Sequence, residues 1–135
     1  MARKKKLPEA EYRLRVFPVR NERNTKPAVA VVVETTKEFV SFHYEVLIAD
    51  RIVGNTITLK ILGLHTPMSV MPGVGPARAF RVYEHGLGTI AIVIYSPDGD
   101  QNVYKLAMRS SSIDVIEAPS RPFILFSPQP VRLPE

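Results

Sequence analysis

The sequence predicts an all-β fold, an antiparallel β-sandwich of about eight or nine short strands, on three observations. Apolar and polar residues alternate with period two over most of the chain, as strands with one buried face require. Twelve prolines fall mostly between these alternating runs, where they punctuate strands without removing ladder donors. No segment keeps a 3.6-residue apolar period, so little or no helix is expected. A closed β-barrel is the alternative arrangement of the same strands.

Residues 1–11 read as a flexible basic arm, with Arg3, Lys4, Lys5 and Lys6 in succession and Pro8 behind them. The first strand runs from Tyr12 to about Arg20, with Tyr12, Leu14 and Val16 on one face and Arg13 and Arg15 on the other. Pro18 marks it as an edge strand. After a polar loop, Ala28 to Val33 (AVAVVV) is a continuous run of small and β-branched residues, the pattern of a strand buried on both faces. Phe39 to Ala49 alternates, with Val40, Phe42, Tyr44, Val46 and Ile48 sharing a face. A turn-bearing connection over residues 50–55 leads to Thr56–Leu62, where Ile57, Leu59 and Ile61 point inward and threonines point out.

His65 to Ala77 holds three prolines and two glycines, which excludes a helix or a central strand. Arg78 to Glu84 follows, with Phe80 and Val82 expected inward. Gly88 to Arg109 is the strongest hairpin in the chain, two alternating runs around Ser-Pro-Asp-Gly-Asp. Ile90, Ile92 and Ile94 line one side of the first run, and Tyr104, Leu106 and Met108 one side of the second. A hairpin of this kind is unstable alone and needs other strands over its apolar face. Short strands at Ile113–Glu117 and Phe123–Phe126 complete the domain at residues 12–127, and residues 128–135 form a proline-rich tail. The aliphatic–Tyr-Ser-Pro-Asp-Gly arrangement resembles the late strands of immunoglobulin- and fibronectin-like domains. It implies that general style of sandwich, and without a diagnostic Cys or Trp it identifies no single family.

At 135 residues, 45% hydrophobic and 23% charged, the chain has the balance of one globular domain rather than a disordered segment. It has no cysteine, which excludes disulfides, thiolate metal sites and cysteine nucleophiles. No apolar run is long enough to span a bilayer as a helix. The basic N-terminus lacks the apolar core of a secretory signal, so a cytoplasmic location is expected. The net charge of +5 is unevenly placed: residues 1–26 hold nine Lys/Arg against three Glu, and the rest of the chain holds nine against ten acidic residues.

That asymmetry makes Arg3, Lys4, Lys5, Lys6, Arg13, Arg15, Arg20 and Arg23 the candidate contacts for an anionic partner such as nucleic acid. Aromatic residues do not recur among them, so a base-stacking platform is not expected. In the long loop, His65, Met68 and Met71 form H-x-x-M-x-x-M, an imidazole with two thioethers, a donor set that suits Cu(I). The competing reading makes Met68, Val70 and Met71 adaptable packing at one end of the domain. Asp98, Asp100 and Asn102 have the alternate spacing of calcium ligands but lack the rest of such a loop, and hairpin turn chemistry explains them better. Pro72–Pro76 with Arg78 lacks the Lys-Ser/Thr of a phosphate loop. His43, between Ser41 and Glu45, and His85 show no triad or metal spacing, and no cofactor motif is present.

The expected role is therefore a non-catalytic binding or assembly module whose basic arm contacts an anionic partner. The alternatives are a homo-oligomeric or protein-interaction domain using exposed apolar residues such as Phe17, Phe39 and Leu47, and a small-ligand or metal-binding sandwich using residues 65–77.

Overall fold

A computed structural model describes residues 10–21, 24–40, 44–65, 73–84 and 88–133. Nine strands follow in chain order: β1 (Tyr12–Asn21), β2 (Asn24–Phe39), β3 (Glu45–Val53), β4 (Thr56–His65), β5 (Gly75–Glu84), β6 (Gly88–Tyr95), β7 (Gln101–Met108), β8 (Ile113–Glu117) and β9 (Ile124–Ser127). The fold is all-β, and no helix occurs among the described residues, hence none able to cross a membrane.

The strands form one sheet in the order β8-β7-β6-β4-β3-β5-β2-β1-β9. It is mixed rather than purely antiparallel. The pairs β4–β6, β3–β5 and β1–β9 are parallel, and the other five are antiparallel. The expected antiparallel sandwich rested on alternation and proline spacing, which say nothing of strand partners. Instead β5 crosses to the far side of the β3–β4 hairpin, and β9 returns beside β1 in parallel.

The sheet curls into a half-barrel, and among the described residues no helix covers its apolar face. Its inner face carries one core drawn from all nine strands, from Leu14, Val16 and Val29 through Ile57, Leu59 and Ile92 to Leu106 and Ile124. The period-two sets read from β1, β4, β6 and β7 all point into it. β-Bulges bend the strands: the register shifts between Glu34 and Glu38 on β2, beside Leu47 on β3, and beside Lys105 on β7. At the β2 bulge the Thr35 hydroxyl accepts from Ala77 N–H at 2.9 Å and donates to the Lys37 carbonyl at 2.8 Å, standing in for the interrupted ladder.

The two ends of the curl meet through side chains. The Tyr104 hydroxyl of β7 donates to the Ile124 carbonyl of β9 at 2.6 Å, its ring packs on Phe126 at 5.4 Å, and Asn102 accepts from Phe123 N–H at 2.8 Å. Burial raises the Tyr104 phenol above its ordinary pKa, which keeps it a donor.

AVAVVV is buried on both faces, as its composition requires. Val29, Val31 and Val33 face the main core, while Ala30 and Val32 join Phe17 in a second cluster on the outer face. Val19, Phe80, Val131 and Leu133 cover that cluster, so residues beyond β9 lie back over the sheet. Three inward assignments change. On β5 the small residues Ala77 and Ala79 enter the main core, whereas Phe80 faces the outer cluster and Val82 is exposed. Val40 is exposed as well, because β2 runs on to Phe39 and β3 begins only at Glu45. Phe42 lies outside the described residues. The β3–β4 connection is a two-residue turn, with Val53 paired to Thr56 and only Gly54 at positive φ (58°), the II′ geometry.

The weakest seam is β3–β5, joined in the ladder only at Glu45 and Arg78. Side chains close it further along. The Tyr83 hydroxyl donates to Asp50 Oδ2 at 2.7 Å, and Arg81 donates to Asp50 Oδ1 at 3.3 Å and to the Ile48 carbonyl at 3.4 Å. The Tyr83 hydrogen bond holds the Asp50 carboxyl below its ordinary pKa, with Arg81 adding to the effect against some desolvation. Burial, then the Asp50 hydrogen bond, pushes the Tyr83 phenol up.

Two predictions follow from these local geometries. Gly99 closes the β6–β7 turn at φ 92°, with open space where a Cβ would stand. Gly99→Ala should therefore cost only the conformational term, about 1–2 kcal/mol, measured by urea unfolding with an unchanged slope. A carboxyl with a lowered folded pKa stabilises the fold above its unfolded value, near pH 4, and stops doing so as pH falls through the folded value. Asp50→Asn should then lower stability at pH 7 by less than about 1 kcal/mol, since the pair is partly solvated. Its unfolding midpoints should converge with those of the parent in acid, once the folded carboxyl is protonated; a gap independent of pH would exclude the charge as its cause.

Candidate functional site

The outer face of β1, β2 and β5 carries a row of charge at one end and apolar side chains at the other. Register sets the row. Arg13 on β1 pairs with Glu34 on β2, and Glu34 pairs with Arg78 on β5, so one carboxylate stands between two guanidinium groups. Arg15, two residues on and on the same face, reaches Glu34 diagonally. In the next rows Val32 meets Phe80 and Phe17 meets Ala30, which starts the outer apolar cluster.

Glu34 is only 2% exposed at its side chain. A carboxylate buried to that degree requires counter-charge and hydrogen bonds. Arg15 Nε donates directly to its Oε1, and Arg15 Nη1 also donates to the Gln129 carbonyl at 3.3 Å, tying the chain beyond β9 to the row. The other two arginines sit more loosely on Oε2: Arg78 Nη2 at 3.4 Å and Arg13 Nη1 at 4.0 Å, outside hydrogen-bond range. Both are about one-third exposed, at 32% and 33%. Arg78 Nε is buried without a hydrogen-bond partner. The cluster thus carries two positive charges in excess, with Arg13 and Arg78 reaching solvent.

Of the residues named for an anionic partner, the structure brings Arg13 and Arg15 together. Arg20 lies near the end of β1, and Arg3, Lys4, Lys5, Lys6 and Arg23 lie outside the described residues. His65 ends β4, exposed and paired with Glu45, while Met68 and Met71 lie outside the described residues. Ser41, His43 and His85 do too. Among the described residues, no three His, Asp or Glu side chains gather closely enough to hold a metal ion. Asn102 does not join Asp98 and Asp100 as an oxygen ligand. It turns inward, accepts from Phe123 N–H and donates to the Gln101 carbonyl at 3.0 Å. Asp98 and Asp100 stay exposed on the turn, whose backbone closes Ser96 N–H onto the Asp100 carbonyl at 2.8 Å. Of the apolar residues expected on the surface, Leu47 is exposed, but Phe17 is buried in the outer cluster and Phe39 packs on Tyr44 at 4.7 Å.

Glu34 and the partnership of Arg78 with Arg13 were missed from sequence. A signal existed: Glu34 continues the outward-facing positions of a strand buried on both faces, where a carboxylate needs cations on the neighbouring strands. Which strand supplies them depends on the β2–β5 pairing. Glu34→Ala should leave three arginines without their acceptor and destabilise the fold by about 3 kcal/mol, the low end for breaking a buried pair because two of the arginines are solvated. Glu34→Gln should cost less. Raising salt should narrow the deficit of both variants in urea unfolding, because screening relieves the remaining repulsion. No family model, curated protein or solved structure matches the chain, so the function of the cluster rests on its own chemistry.

Proposed function

We propose that this chain is a non-catalytic binding module for a phosphate-bearing polyanion, with nucleic acid the first candidate. Arg13 and Arg78 would contact phosphates, together with Arg3, Lys4, Lys5 and Lys6 of the segment that leads into β1. The observation that carries the reading is three guanidinium groups on a single carboxylate. Arg15 and Arg78 each hold one oxygen of Glu34, while Arg13 makes no hydrogen bond to it, and Arg13 and Arg78 remain about one-third exposed. Guanidinium forks match phosphate oxygens well. The acceptor Glu34 holds the arginine row in place, so the cationic groups are positioned before a partner arrives.

The reading implies binding with little sequence preference. Phe17 and Phe80, the aromatic residues nearest the row, face the cluster covered by Val131 and Leu133, so they offer no stacking surface. Affinity would come from phosphate contacts and fall with salt.

Fluorescence anisotropy with a labelled oligonucleotide tests this. The full chain should bind at low salt, with log affinity falling linearly against log salt. Arg13→Gln with Arg78→Gln should reduce the slope by about 1–2 and affinity about tenfold or more, leaving the Arg15–Glu34 pair intact. Deleting residues 2–6 should remove a larger share, since four cations go at once. Absence of binding at low salt, or an affinity indifferent to both changes, would overturn the proposal.

A further inference from the structure

A cavity of about 690 Å³ opens where three segments meet: the residues leading into β1, the β6–β7 turn and the link before β9. That volume suits a small organic molecule and far exceeds what a single ion needs. Its walls are pre-formed. Thr36 N–H donates to the Glu11 carbonyl at 3.0 Å and the Thr36 hydroxyl to the Ala10 carbonyl at 2.9 Å, which fixes the first wall on β2. The Ser96 hydroxyl accepts from Asp100 N–H at 3.0 Å and holds the turn. Asn102 binds Phe123 N–H and, at 3.4 Å, the Arg121 carbonyl, which holds the third.

Two features of the lining select a ligand. Among its described lining residues the charge is opposite to that of the chain as a whole: Glu11, Asp98 and Asp100 stand against Arg121, on a protein of net charge +5. Its floor also holds an unused polar group. Tyr12 is 8% exposed and lines the cavity. Unlike Tyr83 and Tyr104, its hydroxyl has no hydrogen-bond partner among the described residues. Burial, then Glu11 and Asp98, raises its pKa, so the phenol stays neutral. That hydroxyl is accessible from the cavity and can both donate to and accept from a ligand. Phe123, packed on the main core, supplies a second aromatic wall.

We propose that this cavity binds an organic cation, an ammonium group carried on an apolar or aromatic body. The carboxylates of Asp98, Asp100 and Glu11 compensate the charge at the mouth. The Tyr12 hydroxyl oxygen accepts from an ammonium N–H, and the Tyr12 and Phe123 rings cover the apolar body, where aromatic faces also favour a cation. A bare metal ion fits poorly, since no three His, Asp or Glu side chains among the described residues converge on a point.

The test is an NMR titration of the full chain at physiological salt with phenethylammonium, alongside 2-phenylethanol and phenylacetate as neutral and anionic isosteres. Phenethylammonium should give saturable shifts confined to amides around Tyr12, Asp98, Asn102 and Phe123, and should bind about tenfold tighter than either isostere, a ratio typical of one compensated charge. Asp98→Asn with Asp100→Asn should weaken it about tenfold while the remaining spectrum is unchanged, because the hydrogen bonds that close the turn come from the backbone and Ser96. Tyr12→Phe, which keeps the ring, should weaken it less. No saturable shift at millimolar amine, or equal response to all three compounds, would overturn the proposal. The oligonucleotide measurements bear on the other face of β1 and leave this result independent.

Discussion

A sheet with no helix over it among the described residues must cover its own apolar face, and that constraint organises this molecule. The aliphatic side chains of β4, β6 and β7 would be wet on a flat sheet. Bending the sheet until β7 faces β9 places them against Leu14, Val31 and Ile124 and gives one shared core. The strands supply the curvature through bulges, and the ends are held by hydrogen bonds from Tyr104 and Asn102 rather than by a further ladder. These polar contacts are directional where the hydrophobic effect is not. The core drives the closure, and Tyr104 and Asn102 specify where it stops.

The outer face obeys a different rule. Most of it can remain polar, but β2 lies between β1 and β5 and is covered on both sides. Ala30 and Val32 are small enough to pass under Phe17, Phe80 and the returning chain at Val131 and Leu133. Where that apolar cover ends, the next outward position on β2 is Glu34. A carboxylate there is tolerated only because Arg13, Arg15 and Arg78 surround it. The site proposed for a polyanion is therefore a by-product of a packing boundary, made of cations recruited to a buried anion in more than stoichiometric number.

What sequence shows and conceals follows the same physics. Period-two alternation marks strands because side chains alternate across the pleat, and it identified the inner faces of β1, β4, β6 and β7 before any pairing was known. Alternation is silent about partners, so the parallel pairs β4–β6 and β1–β9 could not be read. β5 shows the second limit. Its bulky Phe80 and Val82 were expected inside, but the main core takes Ala77 and Ala79 from this strand; hydrophobicity of single residues does not say which face of the strand turns inward. The arginine row was half legible, since Arg13 and Arg15 share an evident face, whereas Glu34 and Arg78 join it only through strand register. The cavity was illegible for a related reason. Tyr12, Asp98 and Phe123 come from three distant segments, and only the closure of the curl brings them together.

Both proposed sites hang on the first residues of β1, on opposite faces. Tyr12 points inward to the acidic cavity, and Arg13, its neighbour, points outward to the arginine row. Because strand side chains alternate strictly, a slip of one residue would place Tyr12 on the outer face and Arg13 in the core, destroying both at once. Two independent pairings prevent it. On one side Tyr12 and Arg13 are opposite Thr35 and Glu34 of β2; on the other they lie beside Ile124 and Leu125 of β9. The Arg13–Glu34–Arg78 row adds an electrostatic check against that slip, since a shift of one residue would set Tyr12 or Leu14 opposite Glu34. The ion cluster that makes the outer face basic thereby also holds Tyr12 in the cavity. The opposite charges of the two sites, a few residues apart in sequence, are kept on opposite faces by the pleat itself.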